Sequence, residues 1–236
     1  MPRAATIWFL AILAYGAFYS WYTGFAGPLS PVEVEMYLAR IEEGGEADAE
    51  RLARLRTFLE EDTGKDFVMV NAILMRDQPL REEGVRADET SQEVLNRYMA
   101  YMWPALLRRA CHPVVMGQAV APAMDVWGIE NAERWTTAGL MRYRSRRDLM
   151  EIAATPEFNG PHFFKIAAME KTIAFPVETL INLGDPRLLL GLFLFSLAAG
   201  LNLLAVRRPR APTAAGVPEP PEPPPGWDPD GDSTQL

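Results

Sequence analysis

The chain has 236 residues, 49% hydrophobic and 23% charged, a length that supports one globular core and leaves no room for a second large domain. Of its formal net charge of -8, five charges (Glu219, Glu222, Asp228, Asp230 and Asp232) fall after Arg210, and the mildly acidic remainder shows no nucleic-acid surface. A single cysteine, Cys111, excludes an internal disulfide and reads as a small buried hydrophobe, while two histidines, His112 and His162, leave little for zinc.

The first element is AATIWFLAILAYGAFYSWYTGFA, residues 4–26, which carries no charge. At about 1.5 Å per residue it can cross a hydrocarbon core of about 30 Å, so it is a predicted transmembrane helix. Tyr19, Trp21, Tyr22 and Phe25 crowd its C-terminal end, where amphipathic rings favour the headgroup level, which argues for a retained anchor. Cleavage after Gly24-Phe25-Ala26 is the alternative.

Residues 27–64 are a predicted helical hairpin. Ser30-Pro31-Val32-Glu33 has the spacing of a capping box with proline at the first helical position, and Gly44-Gly45 stops the helix it opens. In the second helix Leu52, Leu55, Phe58 and Leu59 recur at three- and four-residue steps, leaving Arg51, Arg54 and Arg56 to a charged, solvated face.

The period changes over residues 65–180. DFVMVNAILM, Asp66 to Met75, is an almost unbroken apolar run, as in a strand covered on both faces, with Asn71 as the exception. After a polar loop, Leu95, Tyr98, Met99, Met102 and Leu106 fall at helical spacing, with Pro104 a kink or a new start. PVVMGQAV and WTTAGLMRYRS read as a second and third strand, His112-Pro113 marking where the second begins. A helix broken at Pro156 follows, then a fourth strand, KTIAFPVE, whose Pro176 suits a sheet edge. Strand, helix, strand, strand, helix, strand is the ferredoxin-like βαββαβ order, so the predicted fold class is α+β. Because the first strand is apolar on both faces, the open side of the sheet calls for a cover, a second copy of the chain or another subunit.

Leu188 to Val206, LLLGLFLFSLAAGLNLLAV, is uncharged and makes residues 187–206 a second predicted span. Arg207, Arg208 and Arg210 follow it, and Arg3 precedes the first span. The positive-inside rule then places both termini in the cytoplasm and residues 27–186 outside, in a bacterial plasma membrane. A cytoplasmic middle is the alternative, since long loops cross largely regardless of charge. Residues 207–236 are a predicted disordered tail, acidic and rich in proline, and its PEPPEPPP could present a polyproline II ligand to a protein partner.

Two stretches, AGLMRYRSRRDLMEIAATPEF and HFFKIAAMEKTIAFPVE, resemble the dimeric α-β barrel superfamily, specifically its small uncharacterised families beside the antibiotic-biosynthesis monooxygenases. There a third strand ends in a Tyr-x-Ser type junction before the second helix, and an ALEKT type helix end leads into the last strand. The resemblance covers residues 66–178 and implies the fold; it carries no catalytic residue over. The two spans and the helical preface depart from the usual small soluble member.

Along the third strand Leu140, Arg142 and Arg144 share one face, and Met141 and Tyr143 the other. Ser145 reads as an N-cap with Asp148 three residues on, so Arg146 and Arg147 belong to the first helical turn, where they need carboxylate partners or solvent. The candidate ligand site groups Asn71 and Gln118 with Arg142 or Arg144, since guanidinium suits a carboxylate; the alternative use of these arginines is a salt bridge at an edge or interface. His162 is the candidate general base, against a solvated or hydrogen-bonded histidine, and Trp127 and Trp135 read as core with a pocket wall as the alternative. No nucleophile elbow, phosphate loop or Gly-x-Gly-x-x-Gly occurs, and neither metal nor cofactor is expected. The function these features outline is a two-span membrane protein displaying a self-associating domain for ligand binding or assembly. The alternative is a membrane-tethered, cofactor-independent oxygenase or isomerase acting on a small hydrophobic substrate.

Overall fold

The computed structural model describes residues 3–45 and 48–207, together with 222 and 225, so Arg208, Arg210 and nearly all of the proline-rich segment lie outside the described residues. In chain order the elements are α1 (Arg3–Thr23), α2 (Pro31–Glu43), α3 (Ala49–Glu60), β1 (Phe67–Met75), α4 (Ser91–Arg108), β2 (His112–Gln118), β3 (Thr137–Tyr143), α5 (Arg146–Ala153), α6 (Pro156–Ala168), β4 (Met169–Val177) and α7 (Pro186–Arg207). The strands form one antiparallel sheet in the order β2-β3-β1-β4. The unbroken apolar run is thus the inner strand β1, bonded on both edges, while Pro176 lies on the edge strand β4.

Register assigns the two faces. Phe67 pairs with Tyr143, Met69 with Met141 and Asn71 with Gly139, and these residues face the helices. Phe67, Tyr143, Tyr98, Met102, Leu106, Cys111 and Ile152 form the main core between sheet, α4 and α5. The opposite face carries Val70 beside Leu140 and Phe175, and Ala72 beside Ala138 and Ile173. On that side Val115, Ile173 and Phe175 are exposed.

Local chemistry sets the element ends. Ser30 Oγ accepts from the Glu33 amide at 3.4 Å while the Glu33 carboxylate accepts from the Ser30 amide at 2.8 Å, a complete capping box. Gly45, at φ +72, turns the chain out of α2 in a conformation only glycine adopts without strain. Thr90 and Glu93 repeat the box at the start of α4. That helix runs on through Pro104, because the carbonyl this proline leaves without a donor belongs to the exposed Ala100. Val34, Tyr37 and Leu38 of α2 and Leu59 of α3 pack on Met150 of α5 and on Ala154, which caps it, so the helical pair has its own core joined to the main one through Phe58. Tyr37 donates to Glu151 at 2.6 Å across this contact.

Helices α1 and α7 are long and apolar enough to cross a membrane, over Ala4–Thr23 and Pro186–Ala205. They pack antiparallel: the Trp8 ring lies 5.5 Å from that of Phe195, and Gly191 admits Tyr15 against its backbone. Their apolar side chains point outward, Phe9 at 62%, Ile12 at 68% and Phe193 at 61% exposed, unlike those of a core helix.

Candidate functional site

A cavity of about 600 Å³ opens between α4 and the inner face of the sheet. Its size falls in the range of small-molecule sites, roughly 300–1,000 Å³. The space exists because Gly139 offers no side chain opposite Asn71; a Cβ built there would meet only Met116 Cγ, at 3.9 Å. Much of the wall is methionine, namely Met75, Met99, Met102, Met116, Met141 and Met169, whose unbranched thioethers adapt to ligands of varied shape. Polar groups are few. Asn71 donates through Nδ2 to the Met69 carbonyl at 2.9 Å and the Gly139 carbonyl at 3.3 Å, so what it can offer a ligand is its side-chain oxygen. Gln92 donates to Asn96 at 2.9 Å, both exposed at the rim, and Gln118 and Thr137 end their strands there.

Asn71 and Gln118, both expected at the site, therefore line the cavity, and the two arginines grouped with them do not. Tyr143 faces inward, so alternation along β3 sends Arg142 to the other side. There Arg142 is 3% exposed and fully engaged, donating to Asp66 at 2.9 Å, the Ala110 carbonyl at 2.8 Å and the Tyr22 carbonyl at 3.1 Å, with its guanidinium 3.8 Å from the Tyr22 ring centroid. Arg144 makes two bonds to Asp148, at 2.7 and 2.8 Å, and a third to the Trp21 carbonyl at 3.1 Å. Arg146 donates to the Phe58 carbonyl and lies 3.6 Å from Asp62, while Arg147 reaches Glu33 at 3.0 Å and the Gly27 carbonyl at 3.1 Å.

These arginines thus grip three earlier segments of the chain: Arg142 and Arg144 the end of α1, Arg147 the loop before α2, and Arg146 the end of α3. Arg187, at the start of α7, joins the same knot through Asp66 at 3.0 Å and Asp185 at 2.6 Å. Tyr22 OH lies 2.6 Å from His112 Nε2, and His112 Nδ1 lies 2.9 Å from the Pro113 carbonyl. A carbonyl only accepts, so Nδ1 carries the proton and Nε2 accepts from Tyr22. Asp66 and Tyr22 stand 76 and 120 positions from Arg142, which is why no local spacing revealed them.

His162 does not line the cavity; its ring lies beside Tyr98, 6.4 Å between centroids. Lys165, on the same helix three residues on, does line it, and the sequence reading missed it. The signal available was a lone lysine between Phe163, Phe164 and Ile166. Burial holds the Lys165 ammonium below the ordinary lysine range, and the nearby Arg51 charge adds to the effect. Cys111 is buried, and burial pushes its thiol up to about 11, so at neutral pH it is not a thiolate nucleophile. Trp127 is 92% exposed rather than packed in the core, because it rides on the long β2–β3 loop; Trp135 donates to the Ala132 carbonyl at 2.8 Å, and neither ring lines the cavity. Among the described residues no group of three or more His, Cys, Asp or Glu side chains could hold a metal ion.

No family model matches the chain, and no curated protein matches it. Solved structures similar to it include that of RPA0582, a protein of unknown function from Rhodopseudomonas palustris, at 20% identity over 58% of this chain and 97% of that one, with a TM-score of 0.46. The methylated RPA0582 protein gives 19% identity, 59% and 96% coverage and a TM-score of 0.48. At3g17210 from Arabidopsis thaliana gives 16% identity, 50% and 99% coverage and a TM-score of 0.31.

Proposed function

We propose that this chain is a two-span membrane protein whose α+β unit binds a small, largely apolar ligand in the cavity between α4 and the sheet. The cavity itself carries the reading: about 600 Å³ of methionine-rich space beneath a helix, with a few polar groups at the wall and rim. The unit has the ferredoxin-like arrangement of the dimeric α-β barrel superfamily, a reading supported by the strand order β2-β3-β1-β4 and by α5 and α6 standing together as the second helix. Exposed Val115, Ile173 and Phe175 support self-association through the outer sheet face. The antiparallel α1 and α7 meet the α+β unit through one knot around Tyr22 and Asp66, which supports placing the unit on one side of a bilayer with both outer helix ends on the other. Arg3, Arg207, Arg208 and Arg210 favour the cytoplasm for those ends and a bacterial plasma membrane for the protein. Ligand binding is preferred to an oxygenase or isomerase activity because the histidine considered as a base lies outside the cavity wall.

The test is mass spectrometry of small molecules extracted from the purified full chain, beside a Gly139→Trp variant whose new ring fills the cavity. A species enriched stoichiometrically in the parent protein and lost from the variant is the expected result. Equal content in both, or no enrichment in the parent, overturns the proposal.

A further inference from the structure

Of the described residues lining the cavity, Lys165 alone has a side chain that can carry a formal charge of its own near neutrality. It is partly buried, and among the described residues its Nζ takes part in no ion pair and no hydrogen bond. The charge nearest to it in effect is Arg51, from α3, which is of the same sign. The other polar groups in the described wall are the phenols of Tyr98 and Tyr143, the amides of Asn71, Gln92, Asn96 and Gln118, the Thr137 hydroxyl and the Trp103 indole, and none of them is a carboxylate. An ammonium so placed has given up part of its hydration without gaining a counter-ion, an arrangement that is unfavourable until an anion arrives. By contrast, among the described residues Arg142 is paired with Asp66 and Arg144 with Asp148. Lys165 has no such partner, and the methionines facing it ask for an apolar body.

We infer that the ligand is an amphiphilic carboxylate, a single acid group on an alkyl or aromatic body, with the acid paired to Lys165 and the body against Met99, Met102 and Met141. This rests on the cavity being a ligand site and adds the chemical class of its occupant. A carboxylate is favoured over a more highly charged headgroup because one lysine supplies one positive charge and no other basic side chain lines the cavity among the described residues. Burial of the ion pair beneath α4 also explains why Lys165 tolerates its unfavourable environment: the cost falls on the empty protein and is relieved on binding.

The test uses the full chain in lipid nanodiscs with Trp103, which lines the cavity, as the sole tryptophan and the other tryptophans replaced by phenylalanine. A bromine-labelled medium-chain acid and the alcohol of the same length are titrated, and quenching of Trp103 is read. The acid is expected to saturate at a concentration about tenfold or more below the alcohol, a charge-assisted bond being stronger than a neutral one. Lys165→Met should bring the two curves together, and Lys165→Arg should keep them apart, which separates loss of charge from loss of fold. If acid and alcohol quench alike in the parent protein, or if the acid keeps its advantage in Lys165→Met, the role of Lys165 is overturned while the cavity stands. If neither compound quenches saturably, the cavity reading itself fails.

Discussion

Arg142→Met is expected to destabilise the full chain by about 3 kcal/mol, the scale for leaving a buried partner of an ion pair and its hydrogen-bonded groups uncompensated. The side chain is 3% exposed and closes three contacts at once, to Asp66, to the Ala110 carbonyl and to the Tyr22 carbonyl. Asp66 keeps Arg187 as a partner, but the two carbonyls lose their side-chain donor, and methionine is too short of polar atoms to replace it. Ala110 is also held at φ +56, a left-handed conformation unusual for alanine, and the Arg142 bond to its carbonyl helps to hold it there. For a chain of this size the loss corresponds to a fall of about 6–12 °C in the melting temperature in detergent. Arg142→Lys should recover only part of it, since a point charge cannot reproduce a fork that reaches three acceptors. A shift under 2 °C for Arg142→Met would show that the junction is held by other contacts.

Phe175→Asp is expected to leave the fold intact and to abolish the proposed self-association through the outer sheet face. Phe175 sits on the edge strand, pairs with Val70, and is 48% exposed on the outer face, so the charge meets solvent in a single copy. In a two-fold interface the same substitution enters twice. Losing about 1.5 kcal/mol of apolar burial per copy raises the dissociation constant by on the order of a hundredfold, before any repulsion between the two carboxylates is added. Sedimentation or light scattering in detergent distinguishes the outcomes: a parent protein already monomeric, or a variant of unchanged mass, removes the case for self-association through this face.

Features that depend on neighbouring residues were readable before any coordinates. The Ser30-to-Glu33 box, the Ser145 cap, the proline at the start of α6 and the strand made by the apolar run all follow from spacing and side-chain chemistry. Alternation along β3 also separated Arg142 from Tyr143 correctly, but a period of two gives two faces without saying which one turns inward. The candidate ligand site needed Arg142 or Arg144 to turn inward beside Asn71, whereas Tyr143 lines the cavity and both arginines take the alternative use, a salt bridge. Apart from Asp148, four residues from Arg144, the partners of these arginines are carbonyls and carboxylates far along the chain, gathered by α1, α3 and the loop before α2 packing against the start of α5. Lys165 was hidden for the same reason: an isolated lysine on a helix normally reaches solvent, and only the opposing α4 and sheet turn this one toward a cavity.

The most direct measurement is photoaffinity labelling of the full chain in lipid nanodiscs with an apolar carboxylate carrying a diazirine, followed by peptide mass spectrometry. Ligand binding beneath α4 predicts saturable labelling of the segment containing Met99, Met102 and Trp103, competed by the unlabelled acid and absent in Gly139→Trp. Labelling confined to α1 and α7, or labelling of α4 that neither saturates nor responds to Gly139→Trp, would contradict it.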